Sequence, residues 1–252
     1  MNAWTMAQSR RQQGPAWLLA ASLAAGAGGA RAATYLETFS GPLNPAVWAL
    51  TEGGNGLSIT GGEMVFARTS NDTSFLRFVP ALIGNFDVSF EYRLIDWTST
   101  YGNGDRLQLD VHNLLPSSRG HAVGRAQEGG TGSGSHFGMV DNVCCTFTSP
   151  GSSTTGALRI TRAADIVTVS YHDGGSWQNL GQSTPDARDM TLNFTAYIHK
   201  GFTPGTKYAI DNFSIWAEGF SQPVPEPASG AMLAAGLATL GWMARRRRRP
   251  AA

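Results

Sequence analysis

Phe86-Asp87-Val88-Ser89-Phe90-Glu91-Tyr92 alternates apolar and polar side chains without a break, and that period of two decides the fold class. Successive side chains of a strand point to opposite faces, so Val88, Phe90 and Tyr92 go to a core while Ser89, Glu91 and Arg93 oppose them. The same pattern recurs outward along the chain. Leu107, Leu109 and Val111 alternate with Gln108, Asp110 and His112, and Leu192, Phe194 and Ala196 alternate with Asn193, Thr195 and Tyr197.

Ten short runs of this kind are expected as strands: Tyr35 to Phe39, Leu57 to Ile59, Met64 to Ala67, Phe75 to Val79, Phe86 to Leu94, Arg106 to His112, Leu158 to Thr161, Ile166 to His172, Met190 to Ile198 and Tyr208 to Trp216. No stretch between them keeps a 3.6-residue apolar period, and the 31 glycines are spread throughout. So many short strands in one domain indicate an all-β antiparallel sandwich. Thr60-Gly61-Gly62-Glu63 has the chemistry of a tight hairpin, as does His172-Asp173-Gly174-Gly175-Ser176 before Trp177. Leu114 to Gly156, with His121 and His136, lacks clear periodicity apart from Phe137 to Val140 and reads as a long functional or disordered loop. Trp48, Trp177 and Trp216 are expected in the core.

The two ends carry a different message. Arg10 and Arg11, an apolar run from Trp17 to Ala27 and the A-x-A site Ala30-Arg31-Ala32 compose a signal peptide over residues 1–32, with maturation between Ala32 and Ala33. Ser9-Arg10-Arg11 faintly resembles a twin-arginine signal, but Gln12 and Gln13 stand where that motif takes an apolar pair, which favours general secretion. At the other end, Val224-Pro225-Glu226-Pro227 precedes an apolar stretch from Ala228 to Ala244, then Arg245, Arg246, Arg247, Arg248 and Arg249. About 17 helical residues rise roughly 25 Å, enough to cross a thin bilayer core, and the arginines act as a stop-transfer that stays cytoplasmic. This tail resembles the PEP-CTERM signal of Gram-negative bacteria, recognised by an exosortase. The resemblance implies cleavage at Pro225, Glu226 and Pro227, so that residues 222–252 are a sorting signal and residues 33–221 the mature domain.

Loss of both signals changes the charge. Of 19 basic residues three precede Ala33 and five follow Pro227, leaving 11 against 17 acidic ones once Glu226 is gone, a net charge of about −6. A compact acidic domain lacks the clustered Lys and Arg that nucleic-acid binding requires. The domain's about 190 residues suffice for a core without metals or staples. Cys144 and Cys145, the only cysteines, are adjacent; they form a buried turn or a vicinal disulfide, or pair with another chain, and they lack partners for a zinc site.

Leu36-Glu37-Thr38-Phe39 with Trp48, then Phe86 to Tyr92, then Leu158 to Arg162 leading to Asp173-Gly174 and Trp177, and finally Ile210-Asp211-Asn212-Phe213-Ser214-Ile215, resemble the concanavalin A-like lectin and glucanase superfamily, laminin-G-like domains included. The resemblance implies a jelly roll of two antiparallel sheets whose first strand pairs with its last, and a polar face that binds sugar. Laminarinase-like members carry Glu-x-Asp-x-Glu on one strand; Gln108-Leu109-Asp110-Val111-His112 keeps the central Asp and lacks both outer carboxylates. Glycoside hydrolysis with retention needs two carboxyl groups about 5 to 5.5 Å apart. The visible residues therefore favour binding without catalysis, with Glu91 as the one acid that the sheet could add. No G-x-S-x-G elbow and no phosphate loop followed by a helix is present.

For sugar contact the candidates are Trp97, Tyr101, Asn103 and Asp105 in one loop, with Gln108, Asp110, His112 and Glu91 on the sheets. An alternative places Trp97 as a cap on the core. The resemblance also implies calcium, for which Asp141 with Asn142 and Asp211 with Asn212 supply oxygens, although no contiguous calcium loop groups them. Three functions stay open: a lectin-like surface or matrix protein that meets the secretion translocon, an exosortase and an exopolysaccharide; a glycoside hydrolase or polysaccharide lyase; and a structural matrix protein without sugar binding.

Overall fold

The computed structural model describes residues 32–53, 55–70, 72–97, 104–113, 119–127, 134–149, 151–198 and 205–222. Among them there is no helix. The expected signal peptide of residues 1–32, apart from Ala32, and the expected membrane helix at 228–244 lie outside the described residues. Fourteen strands follow one another: β1 (Ala33–Glu37), β2 (Trp48–Thr51), β3 (Asn55–Thr60), β4 (Glu63–Arg68), β5 (Ser74–Asp96), β6 (Asp105–Asn113), β7 (Gly120–Ala126), β8 (Ser135–Val140), β9 (Val143–Phe147), β10 (Thr155–Ala163), β11 (Ile166–His172), β12 (Gln178–Gln182), β13 (Met190–Ile198) and β14 (Lys207–Phe220).

All pairings are antiparallel, and they make two layers joined through β5. The first layer runs β2-β5-β13-β6-β7-β8-β9, using residues 74–82 of β5. The second runs β14-β5-β10-β11-β12, using residues 82–96 of the same strand. Along the free edge of β14 lie β4 and β1, with β3 outside β4. The first strand pairs with the last, Ala33 opposite Ala217 through Glu37 opposite Phe213.

Between the layers, aromatic rings interdigitate. Phe194 of the first layer meets Phe66 and Phe90 of the second with centroids 4.9 and 5.3 Å apart, and Trp48 meets Phe213 at 5.1 Å. The alternating apolar residues read from the sequence, Val88, Phe90, Tyr92, Leu107, Leu109, Val111, Leu192, Phe194 and Ala196, are all buried here. Gly61 and Gly62 carry φ of 65° and 84°, the two positive values of a type I′ turn that suits a two-residue hairpin.

The segment 114–156 differs from its expectation as a loop. Its described residues form β7, β8, β9 and the start of β10. The pattern is hidden because β7 turns Gly120, Ala122, Gly124 and Ala126 outward and His121, Val123 and Arg125 inward, the reverse of the usual polarity. Gly124 lies under the Phe137 ring: a Cβ there would come within 2.4 Å of that ring and 2.5 Å of the Leu107 carbonyl. Two further strands, Trp48–Thr51 and Gln178–Gln182, were also not expected.

Candidate functional site

The outer face of the first layer collects Gln108, Asp110 and His112 from β6 with Asn193 and Thr195 from the neighbouring β13. Asp110 is buried and its oxygens are fully engaged. Oδ1 accepts from His112 Nε2 at 2.8 Å and Asn193 Nδ2 at 3.1 Å, and Oδ2 accepts from the Thr195 hydroxyl at 2.5 Å. The bond to Asp110 also raises the pKa of His112 above its ordinary value. The cluster is a closed hydrogen-bonded patch of sheet, with Gln108 and His112 at positions where a hydrolase would need acids.

Glu91 cannot join that patch. It lies on the outer face of the second layer, directly opposite Asp211 on β14, and accepts from Asn212 Nδ2 at 2.9 Å. The other loop candidates are placed apart as well. Trp97 is half-buried and packs edge-on against Tyr208, 5.6 Å between centroids, at the margin of the core. Asp105 is wholly buried and accepts from Arg68 Nε at 2.8 Å. Tyr101 and Asn103 lie outside the described residues, as do Val224, Pro225, Glu226, Pro227 and the five arginines.

The calcium candidates lie apart, one pair in a hairpin turn and the other at a register shift of β14. Asp141 and Asn142, at φ of 53° and 62°, are the two central residues of the β8–β9 hairpin. Asn142 Oδ1 accepts from Gly120 N at 2.7 Å, and Asp141 Oδ2 accepts from the Thr184 amide at 2.8 Å. Asp211 accepts from Asn212 N at 2.6 Å, and Asn212 (φ 50°) sits at a register shift in β14. The two pairs lie in different layers, and among the described residues no three His, Cys, Asp or Glu side chains converge as a metal site. Cys144 and Cys145 form a vicinal disulfide in the edge strand β9, with exposed Val143 and Phe147 on either side.

Trp48 lies in the core as expected, whereas Trp177 and Trp216 line a surface groove instead. Trp177 is 39% exposed, and Trp216 is half-buried on the outer face of the second layer. They border a groove of about 720 Å³ whose lining includes Asp87, Ser89, Arg159, Thr161 and Ser214. The register explains the composition: Trp216 pairs with Asp87, Asp87 with Thr161, and Arg159 with Ser89, so outward positions of three adjacent strands meet. Arg159 donates through Nε and Nη2 to the two Asp87 oxygens at 2.8 and 2.5 Å. Trp177 covers that guanidinium at 5.4 Å from its centroid and touches His172 at 5.5 Å. An aromatic wall thus stands beside a charge-paired, hydroxyl-bearing floor.

The comparisons with known proteins agree with this architecture. The PEP-CTERM protein-sorting motif matches residues 223–249. Among solved structures the chain is similar to peanut lectin (12% identity over 77% of this chain and 100% of that one, TM-score 0.55). Lectin I-B4 of Griffonia simplicifolia in its metal-free form gives 12% identity, 73% and 98% coverage and a TM-score of 0.54. The potassium-bound carbohydrate recognition domain of Emp46p gives 10%, 73%, 95% and 0.52. No curated protein matches. At such identities the likeness is one of fold: the protein is an antiparallel β-sandwich folded like these lectins, and it carries a PEP-CTERM sorting motif.

Proposed function

We propose that this protein is exported, sorted through its PEP-CTERM tail by an exosortase, and displayed at the cell surface or in the extracellular matrix, where its sandwich binds glycan without cleaving it. In this reading the precursor is held in the inner membrane by residues 228–244 until processing at Pro225 to Pro227. The observation that carries the binding function is the groove between Trp177 and Trp216. Sugar rings present apolar CH faces to an aromatic ring and hydroxyls to charged or hydroxylic neighbours, and the groove supplies both kinds of partner.

A catalytic reading has less support. A retaining general acid works from an apolar enclosure, whereas Glu91 is exposed beside Asp211 and Asp110 is enclosed by its own hydrogen bonds. Calcium is not required in this reading, because the two candidate pairs lie in different layers and Asn142 Oδ1 and Asp211 Oδ1 already accept from backbone amides.

The full-length chain in detergent is expected to bind specific neutral glycans on an array, equally with calcium and with chelator. Trp177→Ala is expected to weaken that binding about 10- to 100-fold, the scale of losing one ring face of apolar contact. Binding that survives Trp177→Ala and Trp216→Ala together would move the function away from this groove. Release of reducing sugar from a bound polysaccharide would establish the hydrolase instead.

A further inference from the structure

We infer that the groove at Trp177 is one half of a longer channel along β5 and β10 that holds the interior of a linear, neutral polysaccharide chain; this rests on the glycan-binding reading above. A second cleft, of about 350 Å³, is lined by Glu63, Glu91, Arg93, Ala157, His172 and Asp211 among others. It continues the first one residue pair at a time. On β5 the outward series Asp87 and Ser89 of one cleft passes to Glu91 and Arg93 of the other, and on β10 the series Thr161 and Arg159 passes to Ala157 and Thr155.

One wall is continuous across the junction, since His172 of the second cleft is in ring contact with Trp177 of the first. The floor is open. Glu91 is drawn toward β14 by Asn212, and Arg93 reaches over Ala209 to Glu63 on β4, with Nε to Oε1 at 3.1 Å. Arg159 leans the other way, onto Asp87. What remains beneath a ligand is Ala157, Ser89, Thr161 and Ser214, none longer than threonine. From Asn85 to Arg93 the channel follows eight residue steps of about 3.4 Å, roughly 27 Å. That length suits several sugar units in a row and exceeds what a single terminal sugar would fill.

Charge selects the class of chain. The second cleft sets three carboxylates, Glu63, Glu91 and Asp211, against the single guanidinium of Arg93. In the first, Arg159 is held by Asp87, and Arg162 donates to the Gly84 and Arg188 carbonyls. Among the described residues each guanidinium of the lining is already hydrogen-bonded, so a uronic acid would meet three carboxylates and would have to displace an existing partner to reach a cation. A neutral hexose chain meets hydroxyls, carboxylate acceptors and aromatic faces.

The test is a length series. Cello- and laminari-oligosaccharides from disaccharide to octasaccharide would be titrated calorimetrically into the full-length chain in detergent, with polygalacturonate oligomers as the acidic comparison. Affinity should climb with length by at least about tenfold before levelling off, and the acidic series should bind more weakly at every length. Ala157→Arg, which fills the floor of the second cleft, should lower octasaccharide affinity about tenfold more than it lowers disaccharide affinity, with an unaltered melting temperature as the folding control. Equal affinity for disaccharide and octasaccharide, both lost in Trp177→Ala, would keep the lectin and overturn the channel. Tighter binding of the acidic series would overturn the neutral class. Absence of binding in every series would remove both this inference and the reading beneath it.

Discussion

Arg68→Met is expected to lower the unfolding free energy by about 3 to 5 kcal/mol, the usual cost of leaving one member of a buried ion pair without its counter-charge. Arg68 and Asp105 have fully buried side chains, and they join different layers: Arg68 ends β4 and Asp105 begins β6. The same guanidinium donates to the Asp72 carbonyl at 2.8 Å and toward the Tyr197 carbonyl at 3.4 Å, so it fastens three segments at one end of the sandwich. Urea titration of Arg68→Met against the parent measures the loss. The double variant Arg68→Met/Asp105→Leu should recover most of it, because no charge is then stranded. A loss below about 1 kcal/mol in the single variant would mean that water reaches the pair.

Acidification is expected to cost roughly 2 to 3 kcal/mol between pH 6.5 and pH 4.5, through His136. This histidine stands on β8 between the layers, stacked on Tyr171 at 3.9 Å. Arg125 Nη1 can only donate, so His136 Nδ1 accepts from it at 3.0 Å, and the ring proton sits on Nε2, which donates to the Tyr92 hydroxyl at 2.7 Å. Burial first, and the Arg125 charge second, push its pKa from 6.5 down to about 3. The unfolded chain therefore binds a proton that the folded chain refuses: stability is complete above pH 6.5 and declines as pH falls toward 3. His121, depressed chiefly by burial, adds in the same direction, while His112, raised by its bond to Asp110, acts in the opposite one. Urea midpoints across this pH range should fall in the parent and flatten in His136→Gln. An unchanged slope in that variant would assign the acid sensitivity to other groups.

Much of the architecture could be read from period two alone. Every residue assigned inward from the runs around Val88, Leu109 and Phe194 is buried, and their polar neighbours do face out. What failed has physical causes. The alternation argument puts outward residues on a surface but does not say which surface, so Glu91 and Asp110 were read toward one floor although they lie on opposite sides of the sandwich. β7 escaped because its outward residues are glycine and alanine and its inward ones include a histidine and an arginine. Trp216 was legible and was missed: Phe213, Ile215 and Ala217 point inward, which turns Trp216 outward. Trp177 was not legible, since its position over Arg159 depends on a hairpin folding back across two strands. A groove assembled from β5, β10, β14 and the approach to β12 has no contiguous signature in the chain.

The end of β14 sets a limit on how the protein can be handled at the membrane. Ser221 is tied to Ala81 by two hydrogen bonds, its amide to the Ala81 carbonyl at 3.0 Å and the Ala81 amide to its hydroxyl at 2.8 Å. Between this knot and Pro225 lie four peptide steps, at most about 14 Å of chain when fully drawn out. In the proposed membrane-held precursor a leash that short would keep the sandwich within about 14 Å of Pro225, so that an enzyme acting at Pro225 to Pro227 would work beside a folded domain. Untying the Ser221 rung would add slack without breaking into the sheet proper.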